Sequence, residues 1–281
     1  MPELPEVEIT ARRIGAATAG ATLESTLAPG LNALKTYDPP ISMLEGRRVQ
    51  GVRRRGKLFL VDIEGELTLL IHLMSAGRLQ LFEQRASLRD RTSRFLLRLA
   101  DGRELRLREF GTKQRAWVKL LRTDDVESDE ALVALGPEAW PGPPPFAPLL
   151  DAPRPLHTLL RDQHVIAGIG RSWVDEILHA AELSPFKRGA DLDGDEADRL
   201  REATMETLGA AIAHYEEVIA LPIPDKLPMP LKVHRHQGEP CPRCGDQLEA
   251  VFYEDYVMSY CPACQTEGKL LKDRRLSRLL R

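Results

Sequence analysis

Two C-x-x-C pairs, Cys241/Cys244 in CPRCG and Cys261/Cys264 in CPACQ, stand sixteen residues apart and hold all four cysteines of the chain. Four thiolates at that spacing can enclose one tetrahedral zinc with no coordination position left open, a structural site that folds a small β-ribbon finger around itself. Two disulfides are the alternative in an oxidising compartment, and a redox pair needs only one such knuckle. We adopt structural zinc, one ion per chain, with the flanking LEAVFY run as a finger strand.

Proline divides what precedes the finger. GPEAWPGPPPFAPLLDAPRP (Gly136 to Pro155) and LPIPDKLPMP (Leu221 to Pro230) cannot continue a helix or sit in a central strand, so each reads as a linker or ordered crossover. The expected domains are 1–135, a linker 136–155, a helical domain 156–220, a linker 221–237, the finger 238–267 and a basic tail 268–281. In the first, Pro5 suits the opening turn of a helix in which Val7, Ala11 and Ile14 recur at helical spacing. KLFLVDIEGELTLLIHL sets two apolar runs around Glu64-Gly65, and SRFLLRLADGRELRLREF alternates around Asp101-Gly102. With QRAWVKLL these predict an antiparallel sandwich or barrel led by a helix.

The helical domain begins with LHTLLRDQ and a glycine-containing turn, HVIAGIGRS. WVDEILHAAEL follows, with Ser172 as N-cap and Trp173, Ile177, Leu178 and Ala181 on one face. A longer helix after Asp195 has Leu200, Leu208, Ile212 and Tyr215 as apolar positions. Two helices around a glycine turn can present backbone N–H groups to phosphate, although many helical hairpins merely pack. The tail GKLLKDRRLSRLLR, with Leu270, Leu271, Leu276, Leu279 and Leu280, predicts a short basic helix against the finger.

Charge is segregated behind a net value of -3. Arg47 to Arg122 carries 19 Lys/Arg against 8 Asp/Glu, whereas Thr123 to Lys226 carries 8 against 21. Such a basic block can face phosphates, or can be a solvated mixed surface. No apolar run approaches the roughly 18 residues of a membrane span, and the acidic start lacks the basic region of a signal peptide. A cytoplasmic chain without membrane partners is expected.

The opening MPELPEVE has one feature that helix formation leaves unexplained, the dipeptide Pro2-Glu3. Trimming of Met1 would expose a secondary amine with a pKa of ~8, able to attack an electrophilic carbon and form an iminium. The Glu3 carboxyl could move the protons such a reaction needs, whereas an ordinary flexible terminus is the other reading.

MPELPEVE, RRGK ending at Lys57, REFG from Arg108, LGPE from Leu135, DQHVIAGIG from Asp162, DEIL from Asp175, GEPCPRCG from Gly238 and YCPACQ from Tyr260 follow one another in a fixed order. Together they are similar to the motifs of the formamidopyrimidine-DNA glycosylase and endonuclease VIII family of base-excision repair enzymes. The resemblance implies a multidomain α+β fold: an N-terminal antiparallel β-sandwich with a leading helix, a helix-two turns-helix domain and a C-terminal zinc-ribbon hairpin. It implies a bifunctional glycosylase and abasic-site lyase acting as a monomer on damaged double-stranded DNA in a cleft between the domains. By that resemblance Pro2 attacks C1′, Glu3 protonates the sugar oxygen, Lys57 holds a phosphate and Glu6 buttresses the terminus or caps its helix. Removal of a base from the stack leaves a hole, which Arg108, Phe110 and a Met in the His72 loop would fill.

The sequence departs from the family at several of these points. IHLMSAG keeps His72 but places Met74 one position early and Ser75 at the wedge, so Met74 serves only if the loop is re-registered; otherwise it is a core methionine. Arg171 replaces an Asn that contacts phosphate, and Tyr256 stands where the finger has an Arg. IPDKLPMPLKVHRHQ is shorter than the loop that covers 8-oxoguanine in relatives. A DNA-binding relative with lost or narrowed glycosylase activity, an abasic-site lyase or damage sensor, is the alternative.

Overall fold

The computed structural model describes residues 2–30, 32–87, 90–111 and 113–272, which form two compact units. The first comprises Met1–Ala134 with Ile212–Pro228, the second Leu135–Ala211 with Met229–Arg281.

The first unit opens with α1 (Leu4–Thr18), whose Pro5 sits in the first turn and whose Leu4, Val7, Ala11 and Ile14 are buried. Eight strands follow: β1 (Leu23–Leu27), β2 (Val49–Arg55), β3 (Leu58–Ile63), β4 (Leu67–His72), β5 (Gly77–Phe82), β6 (Ser93–Leu99), β7 (Glu104–Glu109) and β8 (Trp117–Arg122). They make two antiparallel sheets, ordered β1-β6-β7-β5 and β2-β3-β4-β8. One apolar core joins them: Phe95, Leu97, Leu105 and Leu107 from the first sheet meet Phe59, Val61, Leu69, Ile71 and Val118 from the second, with Val7, Ala11 and Ile14 of α1. This is the sandwich the alternating runs predict. The continuous runs in β3 and β4 have a separate cause, since Leu60 and Leu70 are also fully buried and both faces of that hairpin are therefore covered. A short helix α2 (Glu130–Val133) ends the segment, capped by the Asp129 carboxylate accepting from Ala131 N–H.

The second unit holds α3 (Phe146–Leu150), α4 (Leu156–Leu159), α5 (Trp173–Ala180) and most of α6 (Gly194–Val218), then the hairpin β9 (Glu249–Phe252) and β10 (Val257–Tyr260) and a last turn, α7 (Pro262–Thr266). LHTLLRDQ thus gives only a single helical turn. Gln163 then braces the glycine turn, its amide oxygen accepting from Gly168 N–H at 2.9 Å and its NH₂ donating to Ile169 C=O at 2.8 Å. Gly168, at φ +111°, takes a conformation that a side chain would oppose. Ser172 occupies the N-cap position of α5 without a side-chain capping bond.

Two buried carboxylates on α5 tie the finger region down. Asp175 accepts from Ser259 N–H (2.9 Å) and from His234 Nδ1 (2.7 Å). Glu176 accepts from the N–H groups of Lys232, Val233 and His234 at 3.1, 2.9 and 2.8 Å. Of the tail, Leu271 donates its N–H to Tyr260 Oη at 2.7 Å. The predicted tail helix, with Leu276, Leu279 and Leu280, lies outside the described residues. Among the described residues no helix is long and apolar enough to cross a membrane.

Candidate catalytic site and metal centre

The start of α1 is built into the first unit. Glu3 and Glu6 are buried, at 2% and 3% exposure, and the Glu6 carboxylate works in two directions. Its Oε2 accepts from the backbone N–H of Glu3 at 2.8 Å, and its Oε1 accepts from Tyr215 Oη–H at 2.7 Å. Tyr215, fully buried on the last turns of α6, is held protonated by burial and then by the neighbouring Glu6 charge, which push its pKa well above that of an ordinary phenol. Its apolar-face periodicity gives no sign of this bond to a residue 209 positions away.

Glu8 carries the same segment to the sheet. Its carboxylate pairs with Arg54 Nε at 2.7 Å, three residues before Lys57, so the first turns of α1 stand beside the β2–β3 turn that carries this lysine. Lys57 is itself only 8% exposed. Leu58 and His72 are register partners, which brings His72 alongside. Burial, and then the Lys57 charge, lower the His72 pKa to about 4, so the imidazole is neutral at physiological pH. Met74 N–H donates to Nδ1 at 3.2 Å, which leaves the proton on Nε2, and the ring stacks on Trp117 at 5.6 Å.

Met74 takes a left-handed backbone conformation (φ +50°), is half-buried rather than core, and lays its sulfur against His72. Ser75 beside it is exposed. Gly77 closes this loop, and a Cβ there would meet Leu73 C=O at 2.3 Å, so only glycine fits. Phe110 N–H donates to Ala76 C=O at 3.4 Å, and Gly77 pairs with Glu109, so the Arg108–Phe110 turn and the Met74 loop come together. Arg108 lies 4.7 Å from the Phe110 ring and donates to Thr92 Oγ1 (3.2 Å), Gln80 Oε1 (3.0 Å) and Asp225 Oδ1 (3.2 Å). Asp225 belongs to the second proline-rich stretch, which is seated on β5 through Gln80 Nε2 donating to Ile223 C=O at 2.6 Å.

Several side chains of the basic block are paired with carboxylates, two of them, Glu8 and Asp129, from outside the block. Arg53 pairs with Asp62, Arg54 with Glu8, Arg94 with Glu109, Arg98 and Arg106 with Glu104, Arg103 with Asp101 and Lys119 with Asp129.

In the second unit the four cysteine sulfurs lie within 4.8 Å of one another, with Cys241–Cys264 at 3.9 Å and Cys244–Cys261 at 3.5 Å. These separations exceed a disulfide bond of about 2 Å. They fit the edge of a thiolate tetrahedron around one ion, about 3.8 Å for metal–sulfur bonds near 2.3 Å. All four cysteines are free, and the site can hold a metal. His179 of α5, missed in the sequence, places Nε2 3.1 Å from Cys241 Sγ, where its Nε2–H tautomer donates to that sulfur as a thiolate. Arg171 is exposed, and its guanidinium donates to Asp255 through the carboxylate (2.5 Å) and the backbone carbonyl (2.6 Å).

A helix-led double sheet, a glycine turn between short helices and a four-cysteine hairpin that can hold a metal ion define a multidomain α+β protein. Comparison with known proteins narrows this. Residues 1–113 match the formamidopyrimidine-DNA glycosylase N-terminal domain, and residues 146–221 match the helix-two turns-helix domain of the same enzymes. The formamidopyrimidine-DNA glycosylase of Thermus thermophilus is 34% identical over 95% of this chain and 100% of its own length. That of Chloroflexus aurantiacus is 32% identical over 94% of this chain and 98% of its own. The Lactococcus lactis enzyme, solved with DNA containing N7-benzyl-Fapy-dG, superposes with a TM-score of 0.84 at 25% identity, covering 94% of this chain and 100% of that one. The chain belongs to the formamidopyrimidine-DNA glycosylase family.

Proposed function

We propose that this protein excises oxidised or ring-opened bases from double-stranded DNA and then cleaves the abasic site by β,δ-elimination. The observation that carries the reading is the buried, doubly braced start of α1, with Glu6 held between Glu3 N–H and Tyr215 Oη, in a chain of this family. With Met1 removed, the Pro2 nitrogen attacks C1′, and the base leaves with the electrons of the glycosidic bond. The sugar ring opens as Glu3 delivers a proton to its oxygen, giving an iminium at C1′. That cation accepts the electrons released when a C2′ proton departs, and the resulting enamine expels the 3′ phosphate; loss of a C4′ proton into the conjugated iminium then expels the 5′ phosphate. Lys57 holds a phosphate near the lesion, while Arg108, Phe110 and Met74 occupy the space the base vacates. His72 supports the Met74 loop as a neutral acceptor, and Arg171 contacts backbone phosphate.

Cys241, Cys244, Cys261 and Cys264 fit zinc, which when bound supplies folding energy to the finger and no chemistry to the reaction. The protein would act as a monomer in the cytoplasm.

Borohydride reduction with abasic-site duplex tests the nucleophile. A covalent adduct is expected with the wild type and not with Pro2→Gly; no wild-type adduct, with Met1 retained by mass spectrometry, would refute the proposal. A panel of lesion-bearing duplexes tests the glycosylase step. Abasic cleavage without release of any damaged base would favour the narrowed lyase.

A further inference from the structure

Within residues 135–211 six of the seven Lys/Arg side chains are bonded to oxygen. Arg154, Arg171, Lys187 and Arg188 meet carboxylates, and Arg199 and Arg201 donate to the carbonyls of Ala181 and Pro143. Of these seven, all among the described residues, Arg161 is the one with no acceptor for its guanidinium, in a stretch of sequence where acids outnumber bases. It is nevertheless placed: the guanidinium carbon lies 4.3 Å from the centroid of the Tyr256 ring, and that of Arg171 lies 5.4 Å from the same centroid.

Tyr256 is well supported for this purpose. Tyr253 stacks on it at 4.4 Å with 11° between planes, and His157 lies nearly parallel at 5.7 Å. Tyr253 N–H closes the hairpin turn on Tyr256 C=O at 2.9 Å, and both rings pack against Val251, Met258 and Tyr260. An arginine laid on an aromatic face keeps its N–H edges available and loses little freedom when it meets a phosphate. Asp255, 66% exposed, holds the second guanidinium at the position where such an anion would bind.

We propose that Arg161 and Arg171, mounted on Tyr256, form a clamp for one DNA backbone phosphate, with Tyr256 the positioning residue and Asp255 an internal competitor displaced on binding. This rests on the reading of DNA as substrate. Neither the charge count nor the motif order points to Arg161, which the fold brings to the Tyr256 ring from 95 positions away in the chain.

Affinity for a duplex with a tetrahydrofuran abasic analogue, measured across a salt series, is the test, with zinc content confirming that each variant is folded. Arg161→Ala is expected to weaken binding and lower the slope of log affinity against log salt by about one contact. Tyr256→Leu should reproduce part of both effects, Tyr256→Phe should restore wild-type values, and Asp255→Asn should tighten binding. Unchanged affinity and slope in Arg161→Ala, with wild-type protein binding normally, overturns the clamp and leaves the proposed function standing. A wild type that binds no DNA at all overturns both.

Discussion

Tyr215→Phe removes one oxygen atom and tests whether the end of α6 braces the start of α1. The phenol is fully buried and donates at 2.7 Å to the Glu6 carboxylate, whose other oxygen holds the Glu3 backbone. A hydrogen bond to a charged acceptor contributes ~1.5–3 kcal/mol, and its loss leaves a carboxylate oxygen in a dry site with one donor fewer. For a cooperative unit of roughly 150 residues each kcal/mol corresponds to about 2–4 °C, so ~2 kcal/mol lowers the midpoint by about 4–8 °C. Differential scanning calorimetry reads this directly. The partner is identified by a double-mutant cycle with Glu6→Gln, where a neutral acceptor makes the same Tyr215→Phe change cheaper by ~1 kcal/mol. Formation of the reduced adduct should slow more than binding to an abasic analogue weakens, because Glu6 sets the position of Glu3 and Pro2. A midpoint shift below about 1 °C, or equal shifts in both backgrounds, would refute the brace.

Three further outcomes follow from the same geometry. His179→Phe, which deletes the N–H donor 3.1 Å from Cys241 Sγ, should speed zinc loss to a chromogenic chelator while Cys261→Ser abolishes stoichiometric zinc; equal retention in His179→Phe and wild type would deny the donor a role. His72 has its folded pKa lowered from 6.5 to about 4, so the unfolded chain binds a proton in that window that the native state does not. Stability should therefore fall as pH drops from about 6.5 towards 4, and the urea midpoint of His72→Gln should decline less steeply over the same range. Gly77→Ala puts a methyl 2.3 Å from Leu73 C=O and should cost ~1–3 kcal/mol by urea unfolding; a neutral substitution would mean that the Met74 loop moves freely.

Local chemistry wrote much of this protein into its sequence. The two C-x-x-C pairs bring their sulfurs within 4.8 Å, the hairpins form around Glu64-Gly65, between two apolar runs, and Asp101-Gly102, within an alternating one, and Pro5 opens α1. Each of these depends on residues close in the chain, where spacing alone sets geometry. LHTLLRDQ gives a single turn because the Gln163-braced glycine turn that follows takes the chain elsewhere.

What the tertiary structure decided lies in pairs far apart in sequence. Tyr215 scans as an apolar helix position and becomes the partner of Glu6, and Asp225 scans as linker and becomes an acceptor for Arg108. His179 scans as a helix-face residue and becomes the hydrogen-bonding partner of Cys241. The Arg47 to Arg122 block scans as a basic surface, yet Arg53 and Arg98 pair with carboxylates on neighbouring strands. Periodicity reports which face of an element is apolar, but the hydrogen-bonding partner of a polar atom on that face is fixed only when another element packs against it.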